Sequence, residues 1–137
     1  MNLVPGAEIT WQCTVTRDMI ARYAQASGDH NPIHLDDEAA RRAGLPGVVA
    51  HGLWTLGALG DGLLRWVGDP ARVVELFGRF SQPVRPGDTL LFTLRVTGQE
   101  TRPELPLPLW KVEGEVKNQA GETVLAKAGA LLRGEAL

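Results

Sequence analysis

A long apolar stretch, residues 48–67, constrains what this chain can fold into more than any other feature of its sequence. It approaches the ~20 residues that a membrane-spanning helix needs. Asp61 and Arg65 lie inside it, and each would cost about 2.5–3.5 kcal/mol at the centre of a bilayer. Four glycines also lower its helix propensity. We therefore predict a helix buried within the protein rather than one that spans a membrane.

Alternation of apolar and polar residues predicts strands on both sides of this helix. Residues 8–15 precede it, with Cys13 on the apolar, core-facing side. Four segments follow it, at residues 73–80, 89–96, 110–117 and 123–133. The pattern predicts an α+β domain in which an antiparallel five-stranded sheet wraps around one long buried helix. Such a sheet leaves an edge strand exposed, which pairing in a dimer would cover.

A shorter amphipathic helix is predicted between the first strand and the long helix. Thr16 can cap its N-terminus and Gly28 can end it. The side chains on its inner face are Ile20, Tyr23 and Ala24. Residues 29–47 then form a polar, turn-rich segment, with one possible helical turn at residues 36–43. Functional groups are often found on such loops.

Composition excludes several classes of partner. The chain has 137 residues, 44% of them apolar, which suits a single domain over residues 1–137. A net charge of −2 and a pI near 5.9 do not provide the basic surface that nucleic acids or anionic membranes require. Cys13 is the only cysteine, so it cannot form an intrachain disulfide, and the N-terminus lacks a secretory signal. We expect a cytoplasmic protein that contacts neither nucleic acid nor membrane.

The turn-rich segment carries a carboxylate and an imidazole, Asp29 and His34, on either side of the stiff residue Pro32. Such a pair can share one water, with proton transfer divided between the two groups, as hydration of a double bond requires. The same residues could be purely structural, with Asp29 capping the loop and His34 packed or solvated. A metal site that adds Asp36 and Asp37 is conceivable, but the spacing matches no common metal motif. We expect no metal.

A family resemblance decides between these alternatives. The sequence runs Tyr23-Ala24, Ser27-Gly28-Asp29, Asn31-Pro32-Ile33-His34 and Ala50-His51-Gly52. These motifs resemble the hydratase-2 signature of MaoC-like (R)-specific enoyl-CoA hydratases and (3R)-hydroxyacyl-thioester dehydratases. The similarity extends from Thr16 to the turn at residues 83–88, about half of the chain. Residues 66–70 most resemble the B subunit of the two-subunit (3R)-hydroxyacyl-ACP dehydratase.

The resemblance implies a hot-dog fold and a role for each motif residue. Asp29 and His34 would be the acid/base pair, and Asn31 would position the water or the carboxylate. The backbone N–H of Gly52, at the start of the long helix, would bind the thioester carbonyl oxygen, where a helix N-terminus can hold developing negative charge. Otherwise Gly52 would serve close helix–sheet packing. We expect His51 to hold the loop by a hydrogen bond rather than to transfer protons.

The implied reaction is reversible hydration of a trans-2-enoyl thioester to the (3R)-3-hydroxyacyl thioester, on coenzyme A or acyl carrier protein, without a cofactor. Two alternatives remain open. One is a hot-dog thioesterase, although such enzymes generally present a carboxylate from the long helix, where this chain has only Asp61. The other is a non-catalytic acyl-binding subunit of a heterodimer. The expected partner is a second copy or a related hot-dog subunit, and four arginines are candidates for carrier phosphates: Arg41, Arg42, Arg85 and Arg102.

Overall fold

A computed structural model of the chain describes residues 4–105 and 108–134. Its elements follow one another in the order expected from the sequence. They are β1 (Glu8–Thr14), α1 (Arg17–Ser27), α2 (Asp37–Arg42), α3 (Gly52–Val67), β2 (Val73–Phe80), β3 (Thr89–Glu100), β4 (Leu109–Lys117) and β5 (Thr123–Arg133). Two short 3-10 helices, Pro32–His34 and Pro70–Arg72, lie in the connections.

The five strands form one antiparallel sheet in the order β1-β3-β4-β5-β2. Alternate residues of β3 are fully buried and form the centre of the core; they are Leu90, Phe92, Leu94 and Val96. Leu59 and Leu63 of α3 belong to the same core cluster. The predicted α+β fold, a five-stranded antiparallel sheet around one long helix, is confirmed.

Glycines bring α3 close to the sheet. A Cβ added at Gly62 would lie 2.2 Å from the indole ring of Trp11, which itself stacks on Phe92 with ring centroids 4.9 Å apart. Gly60 faces Leu76 of β2 in the same way, at 3.1 Å. No described atom lies within 4 Å of a Cβ built at Gly57. The close approach therefore depends on Gly60 and Gly62, and at the start of the helix on Gly52, whose Cβ would lie 3.0–3.3 Å from ring atoms of Phe80 at the end of β2.

The long helix starts later than the apolar run suggests, at Gly52 instead of residue 48. One reason is that a helix beginning at residue 48 would use the carbonyl of Val49 for its own hydrogen bond, but this carbonyl lies 2.7 Å from Nδ1 of His34. Two N–H groups of the same segment also bond to other parts of the fold. The N–H of Val48 donates to Oδ1 of Asp37 (2.9 Å), and the N–H of Ala50 donates to the carbonyl of Val84 (2.7 Å). The resulting helix is shorter than the apolar run. Within the described residues, no helix is long and apolar enough to cross a membrane.

Helix α1 ends where the sequence predicts. Oγ1 of Thr16 accepts the N–H of Met19 (3.1 Å), which caps the N-terminus. Gly28 adopts a left-handed conformation with φ of 77°, which a glycine tolerates best, and so terminates the helix. This turn sends the chain directly into Asp29 and the loop that follows.

Helix α2 anchors the segment before α3 through Asp37. Its carboxylate accepts the N–H of Val48 and forms a salt bridge with Arg17 of α1. The Val48 hydrogen bond, followed by the one from Arg17, lowers the pKa of Asp37 below its ordinary value of 3.8. Charged Asp37 therefore ties α1, α2 and the start of the long helix together.

This lowered pKa predicts a pH-dependent stability. Because the folded state favours the carboxylate, Asp37 stabilises the fold above its ordinary pKa of about 3.8, and the contribution is lost as pH falls through its lower folded value. Asp37→Asn mimics the protonated acid, so it should lower Tm at pH 7. The difference in Tm between this variant and the wild-type protein should become smaller as the pH falls below 4. Thermal melts across this range test the prediction. Asp18→Asn, which breaks an exposed pair with Arg22, is the matched control. Equal effects of the two variants on Tm at pH 7 would contradict it.

Candidate active site

Three local hydrogen bonds set the course of the loop after α1. The N–H of Asp29 donates to Oγ of Ser27 (3.1 Å), and the N–H of Asn31 donates to Oδ1 of Asp29 (3.1 Å). The N–H of Ile33 then donates to Oδ1 of Asn31 (3.2 Å). Asn and Asp side chains commonly bond to the backbone two residues further on in this way. Pro32 is the first residue of the 3-10 turn. Together with these bonds, it fixes where the Asp29 carboxylate and the His34 ring lie relative to each other.

His34 presents one ring nitrogen to its surroundings. Its Nδ1 lies 2.7 Å from the carbonyl oxygen of Val49. Because a carbonyl can only accept, the hydrogen-bond network assigns the proton to Nδ1 and leaves the Nε2 lone pair available. The bond to Val49 therefore fixes the orientation of the His34 ring through Nδ1 and leaves Nε2 as the nitrogen that can meet a ligand or water.

His51 links the two segments that carry the site. Its ring is almost completely buried, and its Nε2 lies 3.1 Å from the carbonyl oxygen of Asp29. The ring also stacks on that of His34, with centroids 3.7 Å apart and planes 21° from parallel. The expected hydrogen bond from His51 to the loop is present. Burial, this bond and the stack connect the start of α3 to the Asp29 loop.

Gly52 is the first residue of α3, and its backbone N–H has no protein acceptor within the described ranges. His51, which precedes it at the N-cap position, makes no side-chain capping bond. A Cβ at Gly52 would lie 3.0–3.3 Å from ring atoms of Phe80. The absence of a side chain thus serves close packing and leaves a helix N-terminal donor open, an arrangement suited to negative charge.

The predicted residues Asp29, His34 and Gly52 meet in one cleft of about 230 Å³. Its remaining lining residues are Tyr23, Ser27, His51 and Leu53. Asn31 lies beside the cleft: its backbone N–H holds the Asp29 carboxylate while its side chain caps the following turn. Tyr23 and Ser27 belong to the sequence motif, which assigned them no role, and no sequence pattern marked Leu53.

The titratable groups of the cleft are close enough to exchange protons through water. One carboxylate oxygen of Asp29 and one ring nitrogen each of His34 and His51 lie within 4.8 Å of one another. A divalent metal could also use such a trio after small shifts. Asp36 and Asp37, the other acids considered for a metal site, bond elsewhere, since Asp36 caps α2 and Asp37 binds Val48 and Arg17.

Two larger cavities adjoin the cleft. One, of about 270 Å³, shares Gly52 and runs along residues 80–84. The other, of about 790 Å³, shares Tyr23 and lies between β1, α1 and α3, with Trp11 and Trp54 in its walls. Each cavity borders a residue of the cleft, so each offers space beside it for the rest of a long ligand.

The four candidate phosphate-binding arginines differ in their surroundings. Arg102 bonds to Glu75 (2.9 Å) and Glu100 (3.1 Å), and these two hydrogen bonds raise its pKa. Arg42 lies 3.5 Å from Glu38. Across residues 4–105 and 108–134, no salt bridge involves Arg41 or Arg85. The latter two remain the better candidates for binding an anion.

Comparison with known proteins places these features in a family. The family described as "MaoC like domain" matches residues 5–106. The peroxisomal enoyl-CoA hydratase 2 of Arabidopsis thaliana is 43% identical over 74 residues, which is 53% of this chain and 24% of that protein. The 3-hydroxyacyl-thioester dehydratase Y of Mycobacterium tuberculosis is 40% identical over 78 residues, which is 55% of this chain and 27% of that protein. The chain thus spans about a quarter of these curated relatives.

Among solved structures, an unliganded (R)-hydratase from Pseudomonas aeruginosa superimposes on nearly the whole chain. Its TM-score is 0.77 at 28% sequence identity, and the match covers 98% of this chain and 84% of that one. Because the match covers 98% of this chain, the likeness extends beyond the residues of the sequence motif to nearly the whole fold.

Proposed function

The chain belongs to the MaoC-like domain family, and on that basis we propose that it catalyses reversible hydration of trans-2-enoyl thioesters to (3R)-3-hydroxyacyl thioesters. The observation that carries the proposal is the meeting of Asp29, His34 and the open N–H of Gly52 in one cleft. Hydration needs these functions together: groups that move protons to and from water and carbon, and a donor for the thioester oxygen.

Each group has a place in the proposed reaction. Asp29 and His34 hold a water, remove one of its protons as the oxygen bonds to C3, and supply a proton to C2. As the C3–O bond forms, electrons of the double bond move toward the thioester carbonyl, whose oxygen becomes negative. The N–H of Gly52 and the positive end of the α3 dipole stabilise that charge. Dehydration follows the same path in reverse.

The direct test is incubation of the purified protein with trans-2-enoyl-CoA substrates of several chain lengths. Loss of the conjugated double bond should be observed, and chiral analysis should show the (3R) product, because the orientation implied by the family resemblance puts Asp29, His34 and their water on one face of the bound enoyl group. Activity should survive EDTA if the trio of Asp29, His34 and His51 works without a metal. A (3S) product would show that the assigned substrate orientation is wrong, and loss of activity in EDTA would favour a metal site.

Substitution of either member of the acid/base pair should lower kcat with little effect on folding. Asp29→Asn and His34→Ala should each lower it by roughly 10²–10⁴-fold, the usual weight of general acid–base catalysis. His30→Ala is a matched control, because His30 is an exposed loop neighbour outside the cleft lining. Steady-state kinetics on variants with native circular dichroism tests this, and near-normal turnover in either Asp29→Asn or His34→Ala would refute the pair.

A side chain at Gly52 should obstruct the thioester oxygen. Loss of one such donor typically costs about 2.7–4 kcal/mol, so Gly52→Val should lower kcat/KM by roughly two orders of magnitude or more. Gly60→Val is the matched control, since it places the same side chain in the same helix, with its Cβ 3.1 Å from Leu76 of β2, outside the lining of the cleft and of both adjoining cavities. Full activity in folded Gly52→Val would mean that the carbonyl binds elsewhere.

The alternatives receive less support from the site. Asp61, the only acid of α3, is exposed and paired with Arg65, away from the cleft, which disfavours a thioesterase that uses a helix carboxylate. A non-catalytic acyl-binding subunit would have no need of Asp29 and His34 at the same cleft. Release of free CoA from an acyl-CoA, measured with a thiol reagent, would identify a thioesterase.

The proposed assembly is a dimer, of two copies or with a related hot-dog subunit. β1 and β2 are the two edges of the sheet, and the exposed apolar residues Leu53 and Phe80 lie at the start of α3 and the end of β2. Pairing through the β2 side would cover these groups and an edge strand. Acyl-CoA and acyl-ACP are both proposed substrates.

Sedimentation velocity tests the dimer. The wild-type chain should sediment as a dimer, or do so when mixed with a related subunit, and Phe80→Asp should weaken the assembly. Leu91→Asp is the control, because Leu91 is also an exposed apolar residue but points away from α3 on the other sheet face. A stable wild-type monomer with full hydratase activity would contradict the proposed assembly.

We further propose that residues 1–137 form a single MaoC-like hot-dog domain in the cytoplasm. In the described part of the chain, one sheet and one core cluster support the single domain: the buried residues of the cluster include members of α3, β3, β4 and β5, and side chains of β1 and β2 pack against it. The closer resemblance to the B subunit of (3R)-hydroxyacyl-ACP dehydratase stays a prediction from the sequence.

A further inference from the structure

His51 is a buried polar group of the cleft that the proposed chemistry does not use. Its side chain is 3% exposed. The ring contacts Asp29 through a hydrogen bond to the backbone carbonyl, His34 by stacking, and Tyr23 by a tilted ring contact at 4.7 Å. Its Nδ1 is buried and has no hydrogen-bond partner in the described part of the chain. His51 therefore touches both members of the proposed acid/base pair.

Helix stability does not account for a histidine at this position. His51 occupies the N-cap of α3, where Ser, Thr, Asp or Asn would accept a backbone N–H, yet its side chain makes no such bond. A buried ring nitrogen without a partner is a further cost to folding. The His51 side chain thus leaves the helix N-terminus uncapped and buries an unpartnered nitrogen, and both lower the stability of the fold. We therefore look for its role in the groups that the ring contacts.

We propose that His51 is a positioning residue that holds Asp29 and His34 in their reactive arrangement by two separate contacts. The inference rests on the proposed hydratase function. The first contact is the hydrogen bond from Nε2–H of His51 to the backbone carbonyl of Asp29. It restrains the backbone of Asp29 and therefore the position of its carboxylate. The second is the ring face stacked on His34, which restrains rotation of that imidazole.

The geometry of the stack explains why a ring face suits this task. The Nδ1–H of His34 bonds to Val49, so its Nε2 must stay free to meet water. A hydrogen-bonding neighbour could compete for Nε2, whereas a stacked ring contacts His34 only through its faces, at a centroid distance of 3.7 Å. His51 can therefore restrict the orientation of His34 without occupying the nitrogen that the reaction needs.

Three substitutions separate the two contacts. His51→Gln keeps an N–H donor but removes the ring, His51→Phe keeps a ring face but removes the donor, and His51→Ala removes both. Because a displacement of about 1 Å can cost 10²-fold in rate, His51→Ala should lower kcat by roughly 10- to 100-fold. KM should stay within about threefold, since the binding groups remain, and the Gln and Phe variants should each recover part of kcat.

A double-mutant cycle identifies the route of the effect. If His51 acts through the acid/base pair, His51→Ala should lower kcat much less in an Asp29→Asn background than in the wild-type protein. Val67→Ala is the stability control, because it truncates a buried residue at the far end of the same helix. Equal kcat in His51→Ala and a Val67→Ala variant of similar Tm, or a loss confined to KM, would overturn the proposal.

A spectroscopic measurement keeps this inference separable from the proposed reaction. Ring ¹⁵N chemical shifts should show His34 with its proton on Nδ1 in the wild-type protein and in His51→Phe, and a mixture of tautomers in His51→Ala. Unchanged His34 shifts in His51→Ala would overturn the positioning role even if the protein hydrates enoyl thioesters. Absence of hydration by a wild-type protein with the expected shifts would overturn the proposed function alone.

Discussion

The backbone of residues 48–50 is held by four hydrogen bonds to three different parts of the fold, and the cleft depends on them. The N–H of Val48 donates to Asp37, and the N–H of Ala50 donates to the carbonyl of Val84. Val49 bonds twice to the 3-10 turn: its N–H donates to the carbonyl of Ile33, and its carbonyl accepts from His34. These bonds delay the start of α3 to Gly52 and orient the His34 ring at the same time. A helix that began at residue 48 would use the carbonyl of Val49 for its own backbone hydrogen bond and leave His34 without this acceptor.

The delayed start also determines the electrostatics of the cleft. The first N–H groups of a helix lack internal partners, and they carry the positive end of its dipole. At α3 this end opens beside Asp29 and His34, with no side-chain cap from His51. Negative charge on a ligand atom at Gly52 would therefore meet a fixed donor, with the Asp29 carboxylate and the His34 imidazole in the same cleft.

The two sides of α3 differ in how closely other residues pack against them. On the side facing the sheet, Gly62 admits Trp11 and the helix packs closely. On the opposite side, Leu53 is 62% exposed beside the cleft, although the apolar sequence predicted a helix covered on nearly every face. A single sheet can cover only part of a helix surface, so the remaining apolar surface is available for a substrate chain or for another subunit.

Strand and helix identities were determined locally, by apolar periodicity and by end signals such as Thr16 and Gly28, and so the fold class could be predicted from sequence. The motif likewise indicated Asp29, His34 and Gly52. Only the tertiary structure decided where α3 begins and that His51 stacks on His34. Those features depend on contacts between residues far apart in the chain, such as Asp37 with Val48 and Ala50 with Val84. Contacts of this kind produce no periodic pattern in the sequence from which they could be predicted.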